Sequence, residues 1–142
     1  MFKFTVENTL DAPLTAVWDL LEKFGNLDWY PGPSSLEVIG SGVGMTRRLH
    51  MDGGITIDET LETMDAAQHR FSYRIPNIPM PVTDYRGYVQ LEAVDGGAKT
   101  KIFWSGELTP VGIAEADVKA MMEGVYADMM VKLEAAAQRA AA

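Results

Sequence analysis

The last part of the chain carries an apolar stripe at helical spacing, whereas most of the sequence before it alternates with the period of a β-strand. Acidic residues stand at the start of this segment and basic residues near its end, as the helix dipole favours. We therefore predict a helix from about Ala114 to Arg139, which must bury its apolar side. The stripe consists of Val118, Met121, Met122, Val125, Met129 and Leu133.

The alternating segments predict a sheet with one apolar face, which is the only surface long enough to cover that helix. A short amphipathic helix with Pro13 in its first turn and a stop at Gly25 follows the first strand. Gly96 and its neighbouring glycine form the best hairpin turn, whose register pairs Val89 with Trp104. The predicted fold class is α+β, a curved antiparallel sheet of about seven strands wrapped around a long C-terminal helix, with one or two short helices after strand 1.

The stretch "TRRLHMDGGITIDETLE" places two charges where the pattern expects core residues. If Met51 pairs with Ile55 across the "DGG" turn, Arg47 lies directly opposite Glu59 on the mainly apolar face. The register that fits a short turn in the next hairpin places Tyr73 opposite Glu59 as well. An isolated charge in an apolar interior costs roughly several kcal/mol, so the sequence predicts an Arg47–Glu59 pair.

This polar row has two interpretations. It is either a self-contained pair that fixes strand register, or the lining of a cavity in which Arg47 meets a carboxylate, carbonyl or enolate of an apolar guest. Small residues on the inward face, namely Gly87, Ala93 and Gly106, favour an unfilled interior. The rigid "PNIPMP" loop is predicted to form a rim or lid of that cavity.

Charge and composition argue against several function classes. The chain has 142 residues, expected to form one domain over residues 1–142, with 12 basic and 20 acidic residues and a net charge of −8, which disfavours nucleic-acid binding. It has no cysteine, and His50 and His69 are poorly placed for a metal site, so no metal or other cofactor is expected. Neither a signal peptide nor a membrane-inserting segment is recognisable, and a cytoplasmic protein is the default expectation.

The segments "APLTAVWDLLEKFGNLDWYPG", "GVGMTRRL", "IDETLETMDAAQHRFSYRI", "PMPVTDYRGYV" and "TKIFWSGEL", in this order, resemble the START-like or SRPBCC superfamily. The resemblance covers nearly the whole chain and is strongest to the polyketide cyclase/dehydrase and lipid-transport branch. It implies the helix-grip fold, as in Bet v 1-like proteins, with a cavity between sheet and long helix that mostly holds apolar or amphipathic small molecules. It does not imply one activity.

Three hypotheses follow. The first is binding or carriage of a small hydrophobic or amphipathic molecule in the internal cavity. The second is a polyketide-type cyclase or dehydratase whose catalytic candidates are Arg47, Glu59 and Tyr73, although a carboxylate held by an arginine is a weak base. The third is a protein-interaction module, and a homodimer is among the alternatives for the oligomeric state. The predicted ligand-binding residues are Trp29, Arg47, Glu59, Tyr73, Tyr85, Trp104, Met122 and Tyr126.

Overall fold

Seven antiparallel strands and two helices make up the chain, for which a computed structural model describes all residues, 1–142. The strands form one sheet in the order β1-β7-β6-β5-β4-β3-β2, and the long C-terminal helix packs across it. This arrangement confirms the predicted helix-grip fold, with a single short helix after the first strand. The elements are β1 (Phe2–Leu10), α1 (Leu14–Glu22), β2 (Ser35–Ile39), β3 (Thr46–His50), β4 (Thr56–Asp65), β5 (Arg70–Ile75), β6 (Val82–Val94), β7 (Lys99–Pro110) and α2 (Glu115–Ala141).

The buried side of α2 is rotated relative to the predicted stripe. Met121 and Val125 are each 38% exposed, so their assignment to the core was wrong. Buried positions recur mainly at steps of four residues, and a position one residue away from that line points about 100° around the helix. The buried residues of α2 are Val118, Met122, Tyr126, Met130, Leu133, Ala136 and Ala137.

Two predicted strand registers are confirmed. Arg47 pairs with Glu59 between β3 and β4, and Val89 pairs with Trp104 between β6 and β7. Both hairpins turn at glycine pairs whose positive φ angles define the turn.

The predicted register between β4 and β5 is wrong, because Tyr73 pairs with Leu61 and not with Glu59. The turn is longer than expected, since Asp65 pairs with Arg70, and the register shifts between Leu61 and Thr63 through a β-bulge. The displacement amounts to two residues at Tyr73. It therefore leaves the Tyr73 side chain on the inner face, because side chains of a strand alternate with a period of two.

The small inward residues do not leave empty space, contrary to the prediction. Gly87 pairs directly with Tyr73, and the ring of Tyr73 occupies the place where a side chain at Gly87 would be. Gly106 pairs with Phe4 in the same way, and a methyl group there would lie 2.7 Å from the Phe4 ring. Ala93 is exposed at the end of β6. These glycines thus make room for aromatic rings that fill the sheet's inner face.

The C-terminal half of α2 is closely packed and also tied by hydrogen bonds. Leu133 and Ala137 have no exposed surface. The amide of Asp11 donates to Oε2 of Glu134 at 2.7 Å, and the Gln138 side chain donates to the carbonyl of Asp11 at 2.9 Å. This end of the helix is therefore fixed to the segment that joins β1 and α1. Neither helix has the length and apolar character needed to cross a membrane.

Candidate ligand-binding site

A cavity of about 230 Å³ lies between the inner face of β3–β6 and the middle of α2. Fourteen of its sixteen lining residues are hydrophobic, and Glu59 is the only one with a charged side chain. The lining comprises Leu27, Tyr30, Leu49, Met51, Ile57, Glu59, Tyr73, Ile75, Ile78, Pro79, Met80, Tyr85, Met122, Val125, Tyr126 and Met129.

The position of α2 explains why the hollow is on this side. The helix approaches α1, β1 and β7 most closely, and it stands further from β3, β4 and β5. Over those strands, Met122, Val125 and Met129 form the helical wall of the cavity. Methionine adapts to irregular shapes, so this wall suits a space that is not completely filled by the protein itself.

The charged pair stands at the edge of this cavity, with its two members placed differently. Nε of Arg47 donates to Oε1 of Glu59 at 2.5 Å, and the two side chains are only 6% and 11% exposed. Glu59 lines the cavity, whereas Arg47 does not. Nη1 of Arg47 donates to the carbonyl of Phe24 at 3.0 Å, and the guanidinium lies 3.9 Å from the centre of the Phe24 ring. The cation therefore joins the sheet to the segment after α1.

Three buried tyrosines, Tyr73, Tyr85 and Tyr126, form what we call the tyrosine cluster. Their hydroxyls bring a sheet and a helix together, because the Tyr85 hydroxyl on β6 is hydrogen-bonded to the Tyr126 hydroxyl on α2. Nε1 of Trp104 donates to the Tyr73 hydroxyl at 3.0 Å. The Trp104 ring also stacks on Tyr126, with centroids 5.1 Å apart. Trp104 thus contacts the tyrosine cluster on the side away from the cavity.

Burial raises the pKa of all three phenols above the ordinary tyrosine value. For Tyr73 and Tyr126 the negative charge of Glu59 raises the pKa further. The three side chains are consequently neutral at physiological pH. They act as hydrogen-bonding groups and carry no charge into the cavity.

Five of the eight residues predicted to bind a ligand line the cavity: Glu59, Tyr73, Tyr85, Met122 and Tyr126. The other three do not. Arg47 and Trp104 lie behind Glu59 and Tyr73, respectively. Trp29 is buried in the loop after α1, where its neighbour Tyr30 reaches the cavity instead.

The sequence reasoning missed the apolar majority of the lining. Leu49 on β3 and Met51 directly after this strand share the parity of Arg47, and Ile57 shares that of Glu59 on β4. Since side chains of equal parity point to the same face, these residues could have been identified from the same alternation.

A larger depression of about 480 Å³ lies on the outer face of the sheet, around Tyr88 and Phe103. Only five of its eleven lining residues are hydrophobic. Small-molecule sites are typically concave and mainly apolar, so we take the inner cavity as the candidate site.

Histidine and acidic side chains do not assemble into a metal centre, since no group of three or more lies close enough to hold an ion. His50 is on the outer side of β3, 3.3 Å from Glu37, and the His69 ring packs edge-on against Trp18.

Comparison with solved structures supports the fold over nearly the full chain. An uncharacterised protein from Bacillus thuringiensis superposes with a TM-score of 0.86 at 28% identity, covering 96% of this chain and 99% of that one. The protein XoxI from Bacillus cereus gives a TM-score of 0.84 at 29% identity, with 96% and 95% of the two chains covered. Ara h 8.0201, at 18% identity, shares the fold with a TM-score of 0.78 over 97% and 98% of the chains.

A search of curated proteins found no match. The family model described as polyketide cyclase/dehydrase and lipid transport matches residues 1–138. Together with the helix-grip architecture, this match shows that the chain belongs to the polyketide cyclase/dehydrase and lipid transport family.

Proposed function

We propose that the protein binds a small, mostly apolar molecule in the cavity between the sheet and α2. The observation that carries this proposal is a hollow of about 230 Å³ in which fourteen of sixteen lining residues are hydrophobic. Apolar surface that leaves water for such a site gains roughly 25 cal/mol per Å². The family's description, which includes lipid transport, is consistent with this function.

The volume limits the size of the ligand. A cavity of about 230 Å³ is larger than the roughly 150 Å³ that holds benzene in an engineered protein core. It is smaller than the roughly 300–1,000 Å³ of sites for drug-sized ligands. We therefore expect a ligand with a single ring or a short chain.

The rim of the cavity offers a path for exchange. Ile78 and Met80 of the "PNIPMP" loop are partly buried against the cavity, and Val125 on the opposite side is 38% exposed. Asn77 holds this loop on β4, because its Oδ1 accepts the amide of Asp58 at 2.9 Å. The loop is also held at its other end, because the Pro81 carbonyl accepts the amide of Val111 at 2.8 Å. A loop fixed at both ends, with Ile78 and Met80 between them over the cavity, suits a gate for small apolar molecules.

Binding explains the polar groups better than cyclase chemistry does. A cyclase would need a cation free to stabilise an enolate and a group that exchanges protons near neutral pH. Arg47 is engaged by Glu59 and by the Phe24 carbonyl, and it does not line the cavity. The raised pKa values of Tyr73 and Tyr85 make these phenols poor proton donors in catalysis.

The test is a titration with toluene, followed by calorimetry and by NMR shifts of the methionine methyl groups. We expect saturable binding by the wild type and loss of binding in Met122→Trp, because the larger ring fills the cavity. Met121→Trp is the matched control, since Met121 is the neighbouring residue on α2 but does not line the cavity. Native mass spectrometry of the purified protein would detect a retained ligand. Absence of toluene binding, or equal binding by both variants, would contradict the proposal.

A further inference from the structure

We propose that the cavity selects neutral ligands that carry a hydroxyl group, such as small phenols or alcohols, over carboxylates, ammonium ions and plain hydrocarbons. This inference rests on the proposed function and names the class of ligand that the same cavity takes. It follows from the number and type of hydrogen-bonding groups that face the hollow.

Glu59 provides an acceptor. It is the only charged side chain of the lining, and its hydrogen bond to Arg47 uses Oε1. Oε2 is therefore left as the acceptor for a donor in the cavity. Oε2 has no hydrogen-bond partner in the protein, whereas every fully buried side-chain nitrogen or oxygen has one, so Oε2 keeps accessible surface on a residue that lines the cavity. Hydrogen bonds to a carboxylate are shorter and stronger than those between neutral groups.

The charge of the pair favours a neutral guest. Arg47 and Glu59 together are neutral, and both are buried. A carboxylate guest would meet Glu59 first, with Arg47 held behind it against Phe24. An ammonium guest would find only Glu59 as an anion, and the charge of Glu59 is already balanced by Arg47. Each charged guest would lose its hydration without gaining a partner of its own.

The tyrosine cluster provides a donor in the same cavity. Tyr73, Tyr85 and Tyr126 all line the hollow, and each hydroxyl has one proton. The hydrogen bond between the Tyr85 and Tyr126 hydroxyls uses one of these three protons, so at least one remains available to a guest. Trp104 already donates to the Tyr73 oxygen, which directs the protons of the tyrosine cluster away from that atom.

A hydroxyl group is the simplest group that can pair with both Glu59 and the tyrosine cluster, because it donates one hydrogen bond and accepts another. A ketone or an ether would accept from a tyrosine but would leave Oε2 of Glu59 without a donor. A hydrocarbon would leave both unmatched. The guanidinium of Arg47 is hydrogen-bonded to Glu59 and lies 6.0 Å from the centre of the Tyr73 ring, so the acceptor and this donor occupy the same part of the cavity.

The experiment compares four ligands that share one methylated ring: p-cresol, toluene, 4-methylbenzoate and 4-methylbenzylammonium. Calorimetry at neutral pH should give p-cresol an affinity about tenfold higher than that of toluene. Both ions should bind at least about tenfold more weakly than p-cresol. Equal affinity for p-cresol and toluene, or stronger binding of either ion, would overturn the inference while leaving the proposed function intact. Binding of none of the four would overturn both.

A double variant tests whether the preference for p-cresol over toluene depends on the Arg47–Glu59 ion pair. Arg47→Met with Glu59→Leu replaces both charges by apolar groups of similar size, which avoids leaving one charge buried alone. The affinity of p-cresol relative to that of toluene should fall to an advantage of less than about threefold. Arg86→Met with Glu62→Leu is the matched control, because it removes an Arg–Glu pair of 2.8 Å that does not line the cavity. An unchanged p-cresol preference in the cavity double variant would also overturn the inference.

Discussion

The two halves of the interface between α2 and the sheet are built differently. In the packed half, Leu133, Ala136 and Ala137 lie against α1 and β1 with almost no exposed surface. In the cavity half, Met122, Val125 and Met129 face a hollow. Small residues allow the helix to approach its neighbours closely, whereas the longer side chains of the cavity half leave a space that they do not fill.

The buried charged pair and the buried phenols of the interior are concentrated in the cavity half. The Arg47–Glu59 pair and the tyrosine cluster all lie at or next to the hollow, and the packed half is held mainly by aliphatic contacts. A buried polar group needs a partner, and these groups find partners in one another. The contrast shows that polar groups beside a cavity can be paired with one another, so that a core need not be completely packed around them.

Of the substitutions considered, Arg47→Met in the cavity half should cause the largest loss of stability. Removal of the cation leaves Glu59 buried without its partner, and we expect the free energy of unfolding to fall by about 4 kcal/mol. Urea denaturation provides the measurement. Arg86→Met is the matched control, because the Arg86–Glu62 pair is more exposed, and its removal should change stability far less than Arg47→Met does. A loss below about 1 kcal/mol for Arg47→Met would show that the cavity half does not depend on this pair.

Leu133→Ala compared with Met129→Ala tests the difference in packing directly. Leu133 has no exposed surface, so its truncation should create a new void and cost about 3 kcal/mol. Met129 already borders the hollow and is partly exposed, so its truncation should cost about 1 kcal/mol. Chemical denaturation of both variants gives the two values. Equal losses would argue that the two halves are packed alike.

Alkaline pH should weaken the cavity half through the tyrosine cluster. Below about pH 10 the phenols are protonated in both states, so their contribution to stability is complete. As the pH rises further, the unfolded chain ionises its tyrosines while the raised pKa values keep the native ones protonated. Each buried phenol then lowers the free energy of unfolding by up to about 1.4 kcal/mol per pH unit.

Tyr85→Phe should therefore reduce the slope of stability against pH above pH 10 by about one tyrosine's contribution. Stability measured by urea titration at several alkaline pH values checks this expectation. Tyr88→Phe, which removes a 40% exposed tyrosine from the outer face, is the matched control. An identical slope in wild type and Tyr85→Phe would contradict the burial argument.

Asn77→Ala should have the smallest effect on stability, under about 1 kcal/mol, because it removes only exposed hydrogen bonds to β4. It should nevertheless accelerate exchange of toluene, since the "PNIPMP" loop loses its attachment to β4. NMR exchange measurements would show faster dissociation than in the wild type. Unchanged exchange would place the path for the ligand elsewhere.

Much of the fold could be predicted, because the alternation of the strands, the helical spacing and the glycine turns all indicate the same architecture. The glycine turns fixed the pairing of Arg47 with Glu59 and of Val89 with Trp104. The β4–β5 register could not be predicted, because the turn between Asp65 and Arg70 is longer than its composition indicates and a β-bulge between Leu61 and Thr63 then shifts the pairing by one residue.

The candidate site was harder to predict than the fold. Alternation places Arg47 on the inner face, but it does not reveal that the Phe24 carbonyl holds the guanidinium away from the hollow. Likewise, Gly87 indicates missing volume in the sequence, and only its pairing with Tyr73 shows that a ring uses that volume. Both outcomes depend on contacts between residues that are distant in the chain.

The hydrogen bonds of Asp11 to Glu134 and Gln138 affect which part of α2 can open locally. They anchor the C-terminal end of α2, so we expect transient opening of the helix to be rarer there than in the turns that border the cavity. Amide protons in the first turns of the helix should then exchange with solvent sooner than those around Leu133. One continuous helix would thus have a stable C-terminal part and an N-terminal part that opens more readily.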